Sequence, residues 1–248
     1  MKVIASDFDG TLFFGKNNKI SVSDIESIKA FQDKGNIFGA CTGRPLEGLL
    51  YHCDNMIDFD FYIVSGGALI LDKNYEELHS ELLDYKSLAK LYNEYRDEVN
   101  FSIHSKTKIY IFEEITHPEI QIRINSLDEI KDIDILAVSI PTKSEEQAVK
   151  LASQINSNYE ELSAVHNVEF VDVQKKGISK GTAINKLKEL LDIKTINCIG
   201  DSYNDIPMFK VADYSFTFNY TASGVKEHVD ELVDSVSEAI DIVSIRSN

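Results

Sequence analysis

The sequence lacks any long hydrophobic run. No apolar stretch approaches the ~18 residues of a membrane-spanning helix, and no charged-then-apolar segment opens the chain. Positive charge is also scarce. Lysine and arginine number 25 against 41 aspartates and glutamates, a formal net charge of −16. A chain this acidic repels phosphate backbones and anionic lipid, which argues against nucleic-acid and membrane partners. It would repel an anionic substrate too, unless a bound cation offsets the charge. Cysteine is sparse as well. Cys41, Cys53 and Cys198 make an odd set without metal-site spacing. Cys41 and Cys198 lie inside apolar runs and are expected to be buried free thiols, a usage that fits a reducing cytoplasm. The histidines are scattered, and none is assigned a metal. There is no internal repeat and no low-complexity tract.

What is present is an ordinary globular composition. Hydrophobic residues reach 43%, enough for a sizeable core, and 248 residues allow one large domain or two small ones. "KVIAS" reads as a buried strand, "SVSDIESIKAFQDKG" as a helix with Ser23 and Glu26 at capping-box spacing and Gly35 at its end. "NIFGACT" is a strand, "LEGLLYHC" a helix, and "DFYIVSGGALI" a strand again. This alternation predicts a parallel α/β sheet. The middle differs. "NFSIHS", "KIYIFEE" and "DILAVSIPT" read as strands, and "LSAVHNV" with "VEFVDVQ" as a closing hairpin, with helices over "DYKSLAKLYNEYRDEV" and "SEEQAVKLASQIN". Strands adjacent in sequence predict an α+β unit with an antiparallel sheet. The α/β rhythm then resumes: "SKGTAINKLKELL" is a helix with Ile184, Leu187 and Leu191 on one face, and "TINCIG" and "YSFTF" are strands. The expected architecture is a Rossmann-like α/β core, residues 1–75 and 175–248, interrupted by an α+β unit at 76–174.

Polar groups collect at the ends of three of these strands: Asp7 and Asp9 after "VIAS", Thr42 after "IFGAC", and Asp201 after "INCIG". In a parallel sheet the carboxyl ends of the strands share one edge, where ligands bind, so these residues are expected to converge. Asn204 and Asp205 follow in the same loop as Asp201. Carboxylates without a nearby histidine suit a hard divalent cation, usually Mg2+. Gly10 and Thr11 make a bend after Asp7 plausible, which would give Asp7 and Asp9 separate tasks.

"DFDGT" at 7–11, "TGR" at 42–44, "SKGTA" at 179–183 and "GDSYND" at 200–205 resemble, in order and spacing, the four motifs of the haloacid dehalogenase superfamily. The insertion of roughly 100 residues between the second and third motifs resembles the type 2B cap of the Cof-type sugar-phosphatase branch, and "NYTASGVKEHVDE" is similar to that branch's tail. One departure is visible: the branch usually has Asn-Gly-Ala where this chain has Gly66, Gly67 and Ala68. The resemblance implies a Mg2+-dependent phosphatase of small phosphorylated metabolites, sugar phosphates foremost, acting as a monomer or small homo-oligomer. It implies Asp7 as the nucleophile that becomes an aspartyl-phosphate and Asp9 as general acid and base. Thr42, Gly43, Lys180 and Asn204 would contact substrate. Asp7, Asp201 and the Asp9 backbone carbonyl would hold the metal, with Asp205 supporting them. Formal charges agree: Asp7, Asp201 and Asp205 against Lys180 leave about −2, which Mg2+ neutralises before a phosphate dianion enters. Arg44, Lys175 and Lys176 read as structural or surface cations. Two other readings compete. One is a phosphomutase with the same core chemistry; the other is an aspartate-phosphorylated signalling module, which needs no inserted cap.

Overall fold

The computed structural model describes residues 1–14 and 19–246, so the last two residues of the expected 175–248 segment lie outside it. Strand β1 (Val3–Ser6) is followed by β2 (Phe13–Phe14), which pairs antiparallel with β3 (Lys19–Ile20), and then by α1 (Val22–Gln32) and β4 (Ile37–Cys41). Next come α2 (Leu46–Cys53), β5 (Phe61–Val64), β6 (Leu69–Asp72) and β7 (Glu77–Ser80). The middle comprises α3 (Tyr85–Tyr95), β8 (Ser102–Ser105), β9 (Ile109–Ile111), β10 (Gln121–Arg123), β11 (Ile135–Pro141), α4 (Glu145–Asn158), β12 (Leu162–Asn167) and β13 (Phe170–Lys175). The chain closes with α5 (Lys180–Leu190), β14 (Asn197–Ile199), α6 (Ile206–Phe209), β15 (Tyr214–Phe218), α7 (Ser223–Lys226), β16 (Glu231–Val233) and α8 (Val236–Ile245). No helix among the described residues is long and apolar enough to cross a membrane.

The larger sheet runs β16-β15-β14-β1-β4-β5-β6-β7. Strands β16 to β5 are parallel, and β6 and β7 add an antiparallel edge. Burial on both faces explains why "VIA" and "FGAC" are unbroken apolar runs. On one face Ile4, Phe38 and Phe216 pack with Ile28, Phe31 and Ile240 of α1 and α8. On the other, Val3, Ala5 and Cys198 pack with Ile184, Leu187 and Met208 of α5 and α6. From β1 the chain adds strands first on one side, through β4, and later on the other, through β14. The strand order therefore reverses at β1, the place where open α/β sheets bind ligands. All three cysteines are buried and free.

The second sheet runs β10-β9-β8-β11-β13-β12 and is antiparallel except for β10 on β9. Ile103, Val138, Ile140, Val171 and Val173 line the face that packs with Leu88, Leu91, Ala148 and Ile155 of α3 and α4. The molecule is thus a parallel-sheet α/β core with an added α+β cap.

Several local expectations need correction. The stretch "DFYIVSGGALI" is two strands, because Ser65, Gly66 and Gly67 form a tight turn at φ of 50°, 65° and 108° that reverses the chain. The residues that follow 75 still belong to the larger sheet: β7 pairs with β6, so the passage to the second sheet lies beyond Ser80 rather than at 76. The single aliphatic residue of "ELHS" makes the pattern of this edge strand too weak to read. The N-cap of helix α1 is Ser21, two residues before the expected Ser23, and Ser21 Oγ contacts Ser23 Oγ at 2.7 Å instead of a Ser23–Glu26 box forming. Strand β10 has no counterpart in the sequence pattern; it is three residues long and one-sided. The end of the chain is a short helix, an edge strand and a second helix.

Helix α5 stops at Leu190, so Leu191 falls outside it and is 41% exposed, whereas Leu187 is fully buried. Leu187→Ala should therefore destabilise the fold by about 3 kcal/mol, and Leu191→Ala by less than about 1 kcal/mol. Urea unfolding of both variants checks this; equal losses would place the two leucines in the same environment.

Candidate active site

Asp7 sits at the carboxyl edge of the sheet, just past β1, where its N–H still donates to the Ile199 carbonyl of β14 at 2.9 Å. The backbone then bends, in agreement with the glycine at position 10. The N–H groups of Leu12 and Phe13 converge on the Phe8 carbonyl, and Gly10 takes a φ of 76°. A side chain at Gly10 would overlap the Asp201 carboxylate, so glycine is what lets the loop pass this close. The bend separates the two carboxylates. Asp7 is 5% exposed, while the Asp9 side chain is 43% exposed and faces the cavity.

Lys180 reaches this edge from the first turn of α5, which Ser179 and Thr182 cap reciprocally. Its Nζ donates to Asp7 Oδ1 and to Asp205 Oδ1, both at 2.5 Å, with Lys180 and Asp205 wholly inside the protein. The other Asp205 oxygen accepts from the N–H groups of Asp201 and Ser202, both at 2.9 Å. Asp205 thereby shapes the loop that presents Asp201, and Thr11 Oγ1 donates to Asp201 Oδ1 at 3.2 Å. The motifs at 7–11, 179–183 and 200–205 meet around one ammonium group.

Burial pushes the Asp7 carboxyl well above its ordinary range; Lys180 opposes this, and Asp205, Asp201 and Asp9 add to it. Burial, with Asp205 beside it, raises Asp201 to about 7. Burial by itself would lower the Lys180 ammonium, but Asp205 and Asp7 outweigh it and hold its pKa high. One lysine is thus too little positive charge for these acids. Asp7, Asp201 and Asp205 bring carboxylate oxygens within 4.8 Å of one another, an all-oxygen donor set that fits Mg2+. Both Asp205 oxygens already accept hydrogen bonds, which leaves Asp7 and Asp201 as the carboxylates to hold such an ion.

A cavity of about 530 Å³ opens above Asp7 between the two sheets. Asp9, Thr42, Gly43, Asp201 and Asn204 line it from the core, so the residues expected from the sequence share one site, with Lys180 beneath them. Thr42 Oγ1 accepts from the Arg44 N–H at 3.1 Å, and Asn204 Oδ1 is buried without a partner. From the cap, Ser102, His104, Ser139, Asn167, Phe170 and Asp172 complete the wall.

Arg44, read from the sequence as a structural or surface arginine, is part of the site. Its Nε and Nη2 donate to the two Asp9 oxygens, both at 2.6 Å, in a bidentate pair. Its guanidinium carbon lies 5.6 Å from the ring centres of Phe8 and Phe13. The signal in the sequence is its place directly after Thr42 and Gly43. Tyr220, in the tail segment, donates its hydroxyl to the Gly10 carbonyl and so braces the same loop.

The glycine at position 66 also has an explanation. Its φ is 65°, and any side chain there would run into the amide of Gln174, from β13 of the cap. Each core loop is met in this way from the cap. Gln174 meets the 65–67 turn, Asp172 Oδ2 would lie 3.2 Å from a Cβ at Gly43, and Asn167 Oδ1 accepts from Ser202 Oγ at 3.1 Å. None of these cap residues carries a motif, and nothing in the sequence alone singles them out.

Comparison with known proteins agrees with this geometry. Residues 4–241 match the family of haloacid dehalogenase-like hydrolases. The chain belongs to that family, in its Cof-type branch. A 5-amino-6-(5-phospho-D-ribitylamino)uracil phosphatase of Bacillus subtilis is 25% identical to it over 95% of this chain and 90% of that one. A haloacid dehalogenase-like hydrolase from B. subtilis superimposes over 100% of both chains with a TM-score of 0.87 at 20% identity. A subclass IIB sugar phosphatase of the haloacid dehalogenase superfamily does so over 99% of this chain and 100% of its own, with a TM-score of 0.80 at 21% identity.

The raised Asp201 carboxyl sets a pH dependence. Its pKa in the fold lies near 7, above its unfolded value of about 4, so the folded state binds the extra proton and loses stability as pH rises through that interval. Asp201→Asn removes this contribution. Without metal, the variant's melting temperature should exceed the wild type's at pH 8, and the gap should shrink at pH 5. Added Mg2+ should raise the wild-type value at pH 8 far more than the variant's. A gap of the same size at both pH values would mean that Asp201 is not a strained carboxylate.

Proposed function

We propose that this chain is a Mg2+-dependent phosphatase that hydrolyses small phosphorylated metabolites, sugar phosphates foremost, through an aspartyl-phosphate on Asp7. It is a phosphoric monoester hydrolase. The observation that carries the reading is the Asp7 carboxylate, fixed by Lys180 and facing Asp201 at the floor of a cavity whose opposite wall is the second sheet. We further propose that the cap comprises about residues 81–176. Leu83 already packs into its core, and Ile178 packs into that of the larger sheet.

An Asp7 oxygen attacks phosphorus, and the bond from phosphorus to the leaving-group oxygen breaks. Asp9, on the more open side of the bend, gives that oxygen its proton. A water molecule then gives its proton to Asp9 and attacks the phosphorus of the acyl phosphate, releasing phosphate and restoring Asp7. Mg2+ held by Asp7 and Asp201 would supply charge neutralisation for the incoming dianion. Thr42, the Gly43 backbone and Lys180 hold the equatorial oxygens, where most charge stabilisation in phosphoryl transfer is needed. Arg44 sets the orientation of Asp9 and must yield to let it exchange a proton with the leaving group. The cap sheet excludes water from the acyl phosphate until the leaving group departs, a gating task that often limits turnover.

Free phosphate released from a panel of sugar phosphates tests this. Activity should require Mg2+, vanish in EDTA and return on re-addition, and Ca2+ should inhibit because its looser shell disturbs the in-line geometry. Asp7→Asn should lower kcat by more than about 100-fold with the fold intact, since an amide is a very poor nucleophile. Accumulation of an isomeric sugar phosphate in place of free phosphate would indicate a mutase, and full turnover by Asp7→Asn would remove Asp7 from the chemistry.

A further inference from the structure

The cavity wall opposite Asp7 is one face of the cap sheet, and its side chains fall into rows. Ser139 of β11 is in register with Ser102 of β8 on one side and Asp172 of β13 on the other. Paired residues on adjacent strands point the same way, so these three make a polar row across the sheet. Two residues along, Ala137 lies between His104 and Gln174; two residues the other way, Pro141 lies beside Phe170. The face therefore grades from an apolar rim, through the polar row, to the Gln174 contact with the core.

The charge on this wall is one-sided. Among the described residues lining the cavity, Arg44 is the single permanent cation, and Asp9 holds it bidentately. Four carboxylates line the same space: Asp7, Asp9, Asp172 and Asp201. Burial pushes Asp172 up to about 6, so it is still mainly ionised above pH 7. His104 supplies no counter-charge, because burial lowers it to about 4 and leaves the imidazole neutral. It is 5% exposed, and its Nδ1 has no hydrogen-bond partner. Its ring lines the cavity beside Ser102, whose hydroxyl lies 3.3 Å from Nε2. Hydroxyl groups suit every member of this set, since each both donates and accepts. A carboxylate or second phosphate on the leaving group would meet Asp172 with no free cation to offset it.

We infer that Ser102, Ser139, Asp172 and His104 bind the leaving group and select an uncharged, polyhydroxylated one, rejecting monophosphate esters whose leaving group carries a second anion. This rests on the phosphatase reading and narrows its substrate class. Residues of the cap, through Asp172, then act as a charge filter distinct from the phosphoryl-binding floor.

The test uses the full-length enzyme with Mg2+ and a matched pair, sorbitol 6-phosphate and 6-phosphogluconate, which differ by a hydroxymethyl in place of a carboxylate. The expected kcat/KM ratio favours sorbitol 6-phosphate by about tenfold or more, and Asp172→Asn should reduce that ratio about tenfold, whatever it does to either rate. A wild-type ratio near one, or one favouring 6-phosphogluconate, overturns the inference even if the variant does not fold. A ratio unchanged in folded Asp172→Asn overturns the assignment to Asp172. Phosphate released from neither ester, nor from p-nitrophenyl phosphate, overturns the phosphatase reading and this inference with it.

Discussion

The arrangement depends on one buried ammonium group. Lys180 is 2% exposed, and a lone charge at that depth is not tolerated. It is held because Asp7 and Asp205 approach it from two other segments of the chain, separated from it by 173 and 25 residues. Removing one partner of such a group costs about 3–5 kcal/mol, since the other charge is left without compensation. Folding of the larger sheet and assembly of the site are therefore the same event. The helix cap at Ser179, the missing side chain at Gly10 and the two backbone N–H groups on Asp205 all serve to bring these loops together around the charges.

The same ammonium group leaves room for the cation that the proposed activity would use. It cannot balance Asp7, Asp205 and Asp201 at once, and burial leaves Asp7 and Asp201 with raised carboxyls. A divalent ion held by Asp7 and Asp201, as proposed above, would restore balance at the place where phosphate enters. Asp9 escapes the competition because the bend at Gly10 turns it outward, where Arg44 holds it. Two aspartates two positions apart are thus placed, through backbone geometry, for the different tasks proposed for them.

Much of this is legible in the sequence. Parallel strands with both faces buried read as unbroken apolar runs, and topology then brings their polar ends to one edge. That is why the strand pattern alone suffices to place Asp7, Thr42 and Asp201 together. The cap is legible as a change of rhythm but not as a binding surface. Its cavity-facing side is polar residues alternating with core residues in short strands, so Ser102, Ser139 and Asp172 look like the solvent side of any antiparallel sheet. Arg44 escapes a reading of the sequence because a lone arginine does not announce a partner 35 residues earlier. Gly66 is visible there only as a departure; the amide that fills its space comes from residue 174, and no local pattern links the two.

The proposed chemistry turns on a covalent bond formed at Asp7. An acyl phosphate is reduced by borohydride to the alcohol, which would convert Asp7 to homoserine. The enzyme turning over a sugar phosphate with Mg2+ is quenched with borohydride, digested and sequenced by mass spectrometry. Homoserine at position 7, dependent on substrate and absent in Asp7→Asn, is the predicted result. Steady turnover with no reduced residue, or with homoserine at position 9, 201 or 205 instead, would rule out an aspartyl-phosphate on Asp7.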